Sequence, residues 1–169
     1  MLGEFLRIGV AAGLFLVGAT LAGFVIHHPT IDLTRPYGRT ITSIGTLLLI
    51  AYFCVERLPV VSIGLAAFAC GLQNALATHY RGVILRTTHL TGMMTDLGVT
   101  LGMRVRGHDV PAWKIRVPAM LMVSFFLGGL LAAYAHFSGH DAIKLAGIGY
   151  VFAGIGWSIW KHRSRAIPK

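Results

Sequence analysis

The stretch Thr87-Thr88-His89-Leu90-Thr91-Gly92-Met93-Met94-Thr95-Asp96-Leu97-Gly98-Val99-Thr100-Leu101-Gly102-Met103 decides how this chain is threaded. About 20 apolar residues are needed to cross hydrocarbon as a helix. This segment is shorter, and it carries His89, Asp96 and a series of threonines. It is either a spanning helix buried by its neighbours or a broken, re-entrant element. Lipid tolerates such groups only where protein or a water-filled cavity satisfies them. Together with Gly71-Leu72-Gln73-Asn74 just before it, the segment is where a site is expected.

Composition sets the surroundings. The chain has 169 residues, 55% of them hydrophobic and 12% charged, with a mean hydropathy of +0.70. Soluble domains carry about 25% charged residues, so the deficit points to lipid. The 21 glycines suit close helix contact in a bilayer. One membrane domain over residues 1–169 is the natural count. The formal charge of +9 does not indicate nucleic acid. The basic residues sit at the ends of apolar segments: Arg104, Arg106, Lys114 and Arg116, then Lys161, Arg163, Arg165 and Lys169. That is the pattern of cytoplasmic loops beside anionic lipid. Cys54 and Cys70 fall inside apolar segments and read as packing residues rather than a disulfide framework.

The hydropathy pattern predicts an all-α polytopic membrane protein: five long helices plus the short polar element. The first runs from about Leu6 to Ile26 and ends at His27-His28-Pro29. Its length and the lack of a clear cleavage site favour a retained span over a signal peptide. The second covers about Thr40 to Val55, the third Val60 to Tyr80, and the last two Ile115 to Phe137 and Ala142 to Trp160. Trp113, Trp157 and Trp160 stand at segment ends, as interfacial anchors do. If 87–103 crosses, ten Lys/Arg fall on the side of the C-terminal tail and five on the other. If it re-enters, the division is twelve to three, with Arg7, Arg57 and Lys144 on the poorer side. The positive-inside rule favours re-entry, and either path leaves the C-terminus cytoplasmic.

A weak internal repeat is present. Leu6-Arg7-Ile8 recurs as Ile115-Arg116-Val117, and Gly18-Ala19-Thr20-Leu21-Ala22-Gly23-Phe24 matches Gly128-Gly129-Leu130-Leu131-Ala132-Ala133-Tyr134 with one gap. Residues 1–59 read as a partial first repeat and 60–169 as a complete second one. The partial copy lacks a partner for residues 60–103. The surface meeting that element is expected to be exposed or filled by another subunit, and to be lined by small residues of the third helix such as Ala67 and Gly71. Repeated halves with broken helices between them are a transporter-like organisation.

At Gly71-Leu72-Gln73-Asn74, Arg86-Thr87-Thr88-His89-Leu90-Thr91-Gly92 and Thr95-Asp96-Leu97-Gly98, the chain resembles the YoaK family of uncharacterised multi-pass bacterial inner-membrane proteins. Family members usually begin with an earlier helix and an earlier Thr-Gly-Asn-type motif, which this sequence lacks. The resemblance implies a helical fold and an inner-membrane location. It brings no established substrate and no accepted catalytic residue.

Each candidate has a plain reading beside the sharp one. Gln73 and Asn74 point about 100° apart on a helix. They serve interhelical hydrogen bonds, or they line a cavity for a polar solute. Asp96 marks a proton or ion path, or forms a structural pair with Arg86 or with His89 two turns before it. Thr87, Thr88, Thr91 and Gly92 look like a helix start, either an ordinary interfacial cap or an anion-attracting N-terminus. The expected substrate-binding set is thus Gln73, Asn74, Arg86, Thr87, Thr88, His89, Thr91, Gly92 and Asp96. Gly98-Val99-Thr100-Leu101-Gly102 is a GxxxG match that reads as packing. His27, His28, His79, His136 and His140 lie near helix ends without metal-ligand spacing, so no cofactor or metal is expected. No nucleophile elbow, Walker loop or paired carboxylates appear, and an enzyme is not expected.

The leading expectation is a transporter or channel for a small polar or anionic solute. The alternatives are a membrane scaffold that uses the same polar residues for packing, and, more remotely, a haem-binding electron carrier. The lipid bilayer is the expected partner, with self-association left open.

Overall fold

The computed structural model describes residues 2–25, 37–76, 79–80, 83–84 and 89–165. Six helices make up nearly all of this: α1 (Leu2–Val25), α2 (Gly38–Cys54), α3 (Pro59–Leu76), α4 (Leu90–Val105), α5 (Trp113–Phe137) and α6 (Ala142–Arg165). The class is all-α. The sequence pattern extends the third helix to Tyr80, but α3 stops at Leu76. His79–Tyr80 (β1) instead pairs antiparallel with Val83–Ile84 (β2). Tyr, Val and Ile favour such pairing. The histidine-proline stop after the first helix lies outside the described residues.

Four helices, α1, α3, α5 and α6, are long and apolar enough to cross a membrane, and α2 is a shorter apolar one. With α4 they make the five-plus-one arrangement that the hydropathy pattern predicts. The 16 residues of α4 reach only ~24 Å, short of the ~30 Å hydrocarbon core. Large apolar side chains face outward on most of the surface, among them Phe126, Leu130, Leu131 and Tyr134 of α5. In water this would be untenable, whereas in lipid it is the expected exterior.

The buried centre is small: Ala22, Ile44, Ala69 and Leu72, flanked by Leu47, Leu48, Phe68 and Tyr150. Around it the helices approach through missing side chains. α1 runs parallel to α3, since Val10 and Leu14 lie beside Gly64 while Phe15 and Ala19 lie beside Gly71. A Cβ on Gly71 would overlap the Phe15 carbonyl, and one on Gly18 would overlap that of Phe68. The face of α3 at Gly71, expected to be open, is therefore covered by α1. α2 and α3 form a hairpin whose buried Ser62 hydroxyl donates to the Ala51 carbonyl at 2.7 Å. α2 also runs antiparallel to α6: Gly38 meets Gly154 and Ser158, and Gly45 meets Gly147 and Val151.

α5 joins α6 through a tight turn. Gly139 has φ +75°, a conformation that glycine adopts without steric cost, and the His140 amide bonds the Ala135 carbonyl at 2.8 Å. α4 packs against α5 through an analogous turn at Gly107, φ +91°. Because α6 is antiparallel to α2, and α5 runs back from the turn before α6, the end of α3 and the start of α5 lie at the same end of the bundle. The polar element between them leaves and returns on one side.

Packing at these glycines is testable. A Cβ at Gly45 would sit 2.7 Å from both the Gly147 carbonyl oxygen and the Val151 nitrogen. Backbone cannot move aside cheaply, so Gly45→Leu should destabilise the protein by about 1–3 kcal/mol. Gly149, on the same α6, has nothing within 4 Å of that position. Gly149→Leu should be silent in the same denaturant titration of detergent-solubilised protein. Equal effects of the two changes would refute glycine-mediated contact between α2 and α6.

Candidate functional site

The polar residues fall into two groups. On α3, Gln73 and Asn74 are both half-buried. Helical spacing puts Gln73 beside the Ser62–Ala69 row that faces α2, and Asn74 at the edge of the Gly64–Gly71 row that faces α1. They diverge, as adjacent helical positions must.

On α4, His89, Gly92, Asp96 and Thr100 follow one another at helical spacing and share one face. The His89 ring lies against Gly92: a Cβ there would come within 2.6 Å of the ring's Cδ2. Asp96 is exposed, and no ion pair to it occurs among the described residues. Its main-chain carbonyl accepts the Thr100 hydroxyl at 2.6 Å, and the Thr91 carbonyl accepts that of Thr95 at 3.0 Å. Thr95 and Thr100 thus satisfy themselves on their own helix.

The helix start differs from the expected threonine cap. His89 occupies the N-cap position and makes no side-chain cap bond. Its carbonyl accepts the Met93 amide at 3.1 Å. Thr91 lies inside the first turn. Arg86, Thr87 and Thr88 lie outside the described residues, so a pairing of Arg86 with Asp96 does too. α4 lies along α5 rather than along α3, and the α3 carboxamides and the α4 stripe therefore remain on separate elements. No cluster of three or more His, Cys, Asp or Glu side chains fit for a metal ion occurs among the described residues.

One polar group escapes sequence reading. Tyr52, near the end of α2, stands beside Asp141, which precedes α6. The Lys144 ammonium stands 5.6 Å from the Tyr52 ring centroid, within cation–π range. These residues anchor the α5–α6 turn to α2. Their separation along the chain hides them until the antiparallel pairing of α2 with α6 is known.

The family described as "Protein of unknown function (DUF1275)" matches residues 2–156, nearly the whole chain, and the protein belongs to it. No curated protein and no solved structure matches.

The exposed α4 stripe gives a direct test of hydration. In a Cys54→Ser, Cys70→Ser background, Asp96→Cys in opened membrane fragments, both faces of which meet the medium, should react within minutes with a charged thiol reagent that does not enter lipid. Leu130→Cys on the outward face of α5 should stay unlabelled, because the thiolate does not form in hydrocarbon. An inert position 96 would mean that the stripe does not meet water.

Proposed function

Taking that membership as premise, we propose that the chain is an integral membrane transporter or channel for a small polar or anionic solute. The α4 stripe lines its path. One observation carries the reading: α3 ends and α5 begins at the same end of the bundle, so α4 is a carboxylate-bearing helix that returns instead of crossing. A helix of this kind is tolerated at membrane depth where it borders a water-filled cavity. Asp96 is the group that exchanges a proton with that water, and His89, on the same face, is the second titratable side chain. The α4 N-terminus, whose N-cap residue His89 makes no side-chain cap bond, presents amides that attract an anion. Arg86, shortly before it in sequence, adds positive charge. We assign no catalytic residue.

The likeness to YoaK-type proteins, which belong to the same family, supports the bacterial inner membrane as the location. A returning α4 corresponds to the twelve-to-three division of Lys and Arg, and the positive-inside rule then makes the C-terminus cytoplasmic. It also puts the Glu56-Arg57-Leu58 turn and the Ser138–Asp141 turn together outside. A reporter active only in the periplasm should be active after Arg57 and after Gly139, and silent after Lys169. Silence after Arg57 with activity after Gly139 would mean that α4 crosses, and the reading would fall.

Transport has its own test. Proteoliposomes loaded with a pH-sensitive dye are exposed to gradients of small inorganic and carboxylic anions. Asp96→Asn keeps the side-chain size and removes the titration, so flux should fall at least tenfold with an unchanged unfolding transition. Undiminished flux would remove Asp96 from the mechanism. If neither protein moves any solute while Asp96→Asn alters assembly, the scaffold reading replaces this one; the self-satisfied Thr95 and Thr100 suit that alternative.

A further inference from the structure

We infer that the junction of α2, α3 and α6, at the end of the bundle where α6 finishes, is a site for a phosphate group, with the Tyr37 hydroxyl and the Trp157 indole N–H among its donors. The site uses neither α4 nor Asp96 and stands apart from the transport reading. Two orphaned atoms mark it. The hydroxyl of Tyr37 and the indole nitrogen of Trp157 are both buried, and neither has a hydrogen-bond partner among the described residues. A buried donor without an acceptor has given up its hydrogen bond to water for nothing. Two such donors at one place call for an acceptor that the described residues do not supply.

The helix contacts bring the two residues to one level. Gly38 packs against α6, where a Cβ on it would stand 2.6 Å from the Gly154 carbonyl oxygen and 3.1 Å from the Ser158 nitrogen. Tyr37 and Trp157 each precede a residue of that contact. In antiparallel helices, the positions just before such a contact fall on the same flank of the seam. Lys161, one turn after Trp157, continues that flank. α3 reaches the same level: its Ser62 meets Ala51 of α2, and about three turns further along the hairpin Gln73 stands opposite Thr40. Both Tyr37 and Trp157 are half-buried, so a small rotation opens their tips to a ligand.

The donor set selects the ligand. Indole N–H and ammonium groups donate and cannot accept, so their complement is an acceptor. α2 adds to them: its N-cap Tyr37 makes no side-chain cap bond, and the helix offers no internal acceptor to the amides of Gly38, Arg39 and Thr40. The charge is positive. Arg39, Lys161 and Arg163 share this end with the four Lys/Arg of the α4–α5 turn region, and Asp109 is the one carboxylate beside them among the described residues. At the opposite end Glu4, Glu56 and Asp141 balance Arg7, Arg57 and Lys144. A tetrahedral phosphate brings more acceptor oxygens than a carboxylate to such a set, with charge to match. Trp160, 60% exposed and 5.5 Å from the Trp157 ring, marks the membrane interface. A lipid headgroup and a free phosphate both carry the group to that depth.

The test follows thermal unfolding of the whole chain in a maltoside detergent, which carries no phosphate. Inorganic phosphate is one probe. Phosphatidylglycerol in the same micelles is the other, with diacylglycerol of the same chains as its phosphate-free control. At least one probe should raise the transition temperature saturably, because a ligand held only by the folded state stabilises it. A response to phosphatidylglycerol alone assigns the site to a headgroup; a response to inorganic phosphate assigns it to the free ion. Tyr37→Phe, which removes only the hydroxyl, and Lys161→Gln should each weaken the effective probe about tenfold or more. Arg116→Gln, at the same end but on α5, should leave it unchanged. Without a probe, Tyr37→Phe should be no less stable than the parent, since the hydroxyl it loses has no partner. Stabilisation that sodium chloride of equal ionic strength or diacylglycerol reproduces, that survives Tyr37→Phe, or that falls equally in Arg116→Gln overturns the inference, as does none with either probe. A loss of stability in Tyr37→Phe without a probe overturns it too, because the hydroxyl would then be satisfied within the protein.

Discussion

In hydrocarbon an apolar side chain gains nothing by turning from lipid to protein, so helices must be held by close contact. In this chain that contact is backbone against backbone at glycine. Gly38 and Gly45 of α2 meet Gly147 and Gly154 of α6, and Gly18 of α1 and Gly71 of α3 each meet a carbonyl of the partner helix. Dispersion attraction falls off steeply with separation, and only the absence of Cβ lets the helices approach far enough to collect it. The buried core is correspondingly slight. Its members are mostly small, and among the described residues Ile44 is the one large side chain that is fully buried.

The antiparallel α2·α6 contact has consequences beyond cohesion. It fixes the direction of α6, and through the Gly139 turn the direction of α5. With these two directions set, α3 ends and α5 begins at one end of the bundle. The proposed solute path depends on a return of α4 to the side it left, because a crossing helix with Asp96 would need to be enclosed by protein, while a returning one is reached by water from one side. α4 contacts α5 more than any other helix, which suits an element that borders a cavity.

Much of the fold was legible because hydropathy and length are local properties. The four long apolar helices and the shorter α2 follow from runs such as Ile8 to Ile26 and Ile115 to Phe137. The end of α3 was not, because Leu76 to Tyr80 remains apolar enough to continue a helix, and the pairing of His79–Tyr80 with Val83–Ile84 depends on a strand that lies beyond it. Asp96 and His89 were legible as a shared face, since seven residues make two turns. The role of Gly71 was not: its neighbour is Phe15, far away in sequence, and a glycine carries no mark of the helix it will admit. The Tyr52–Asp141–Lys144 group was hidden for the same reason.

α2 and α6 meet through matching glycines, Gly38 with Gly154 and Gly45 with Gly147, while running in opposite directions, and this bears on how such a protein enters the membrane. The two helices share a packing surface yet insert in opposite senses. The residues that make the surface therefore cannot be the ones that direct insertion. Direction must lie where the halves differ. Lys161, Arg163 and Arg165, following the apolar part of α6, stand where the end of α2 has Tyr52, Cys54 and Glu56. A few basic residues in one copy, added outside the glycine contacts, are enough to turn it over without disturbing what it packs against.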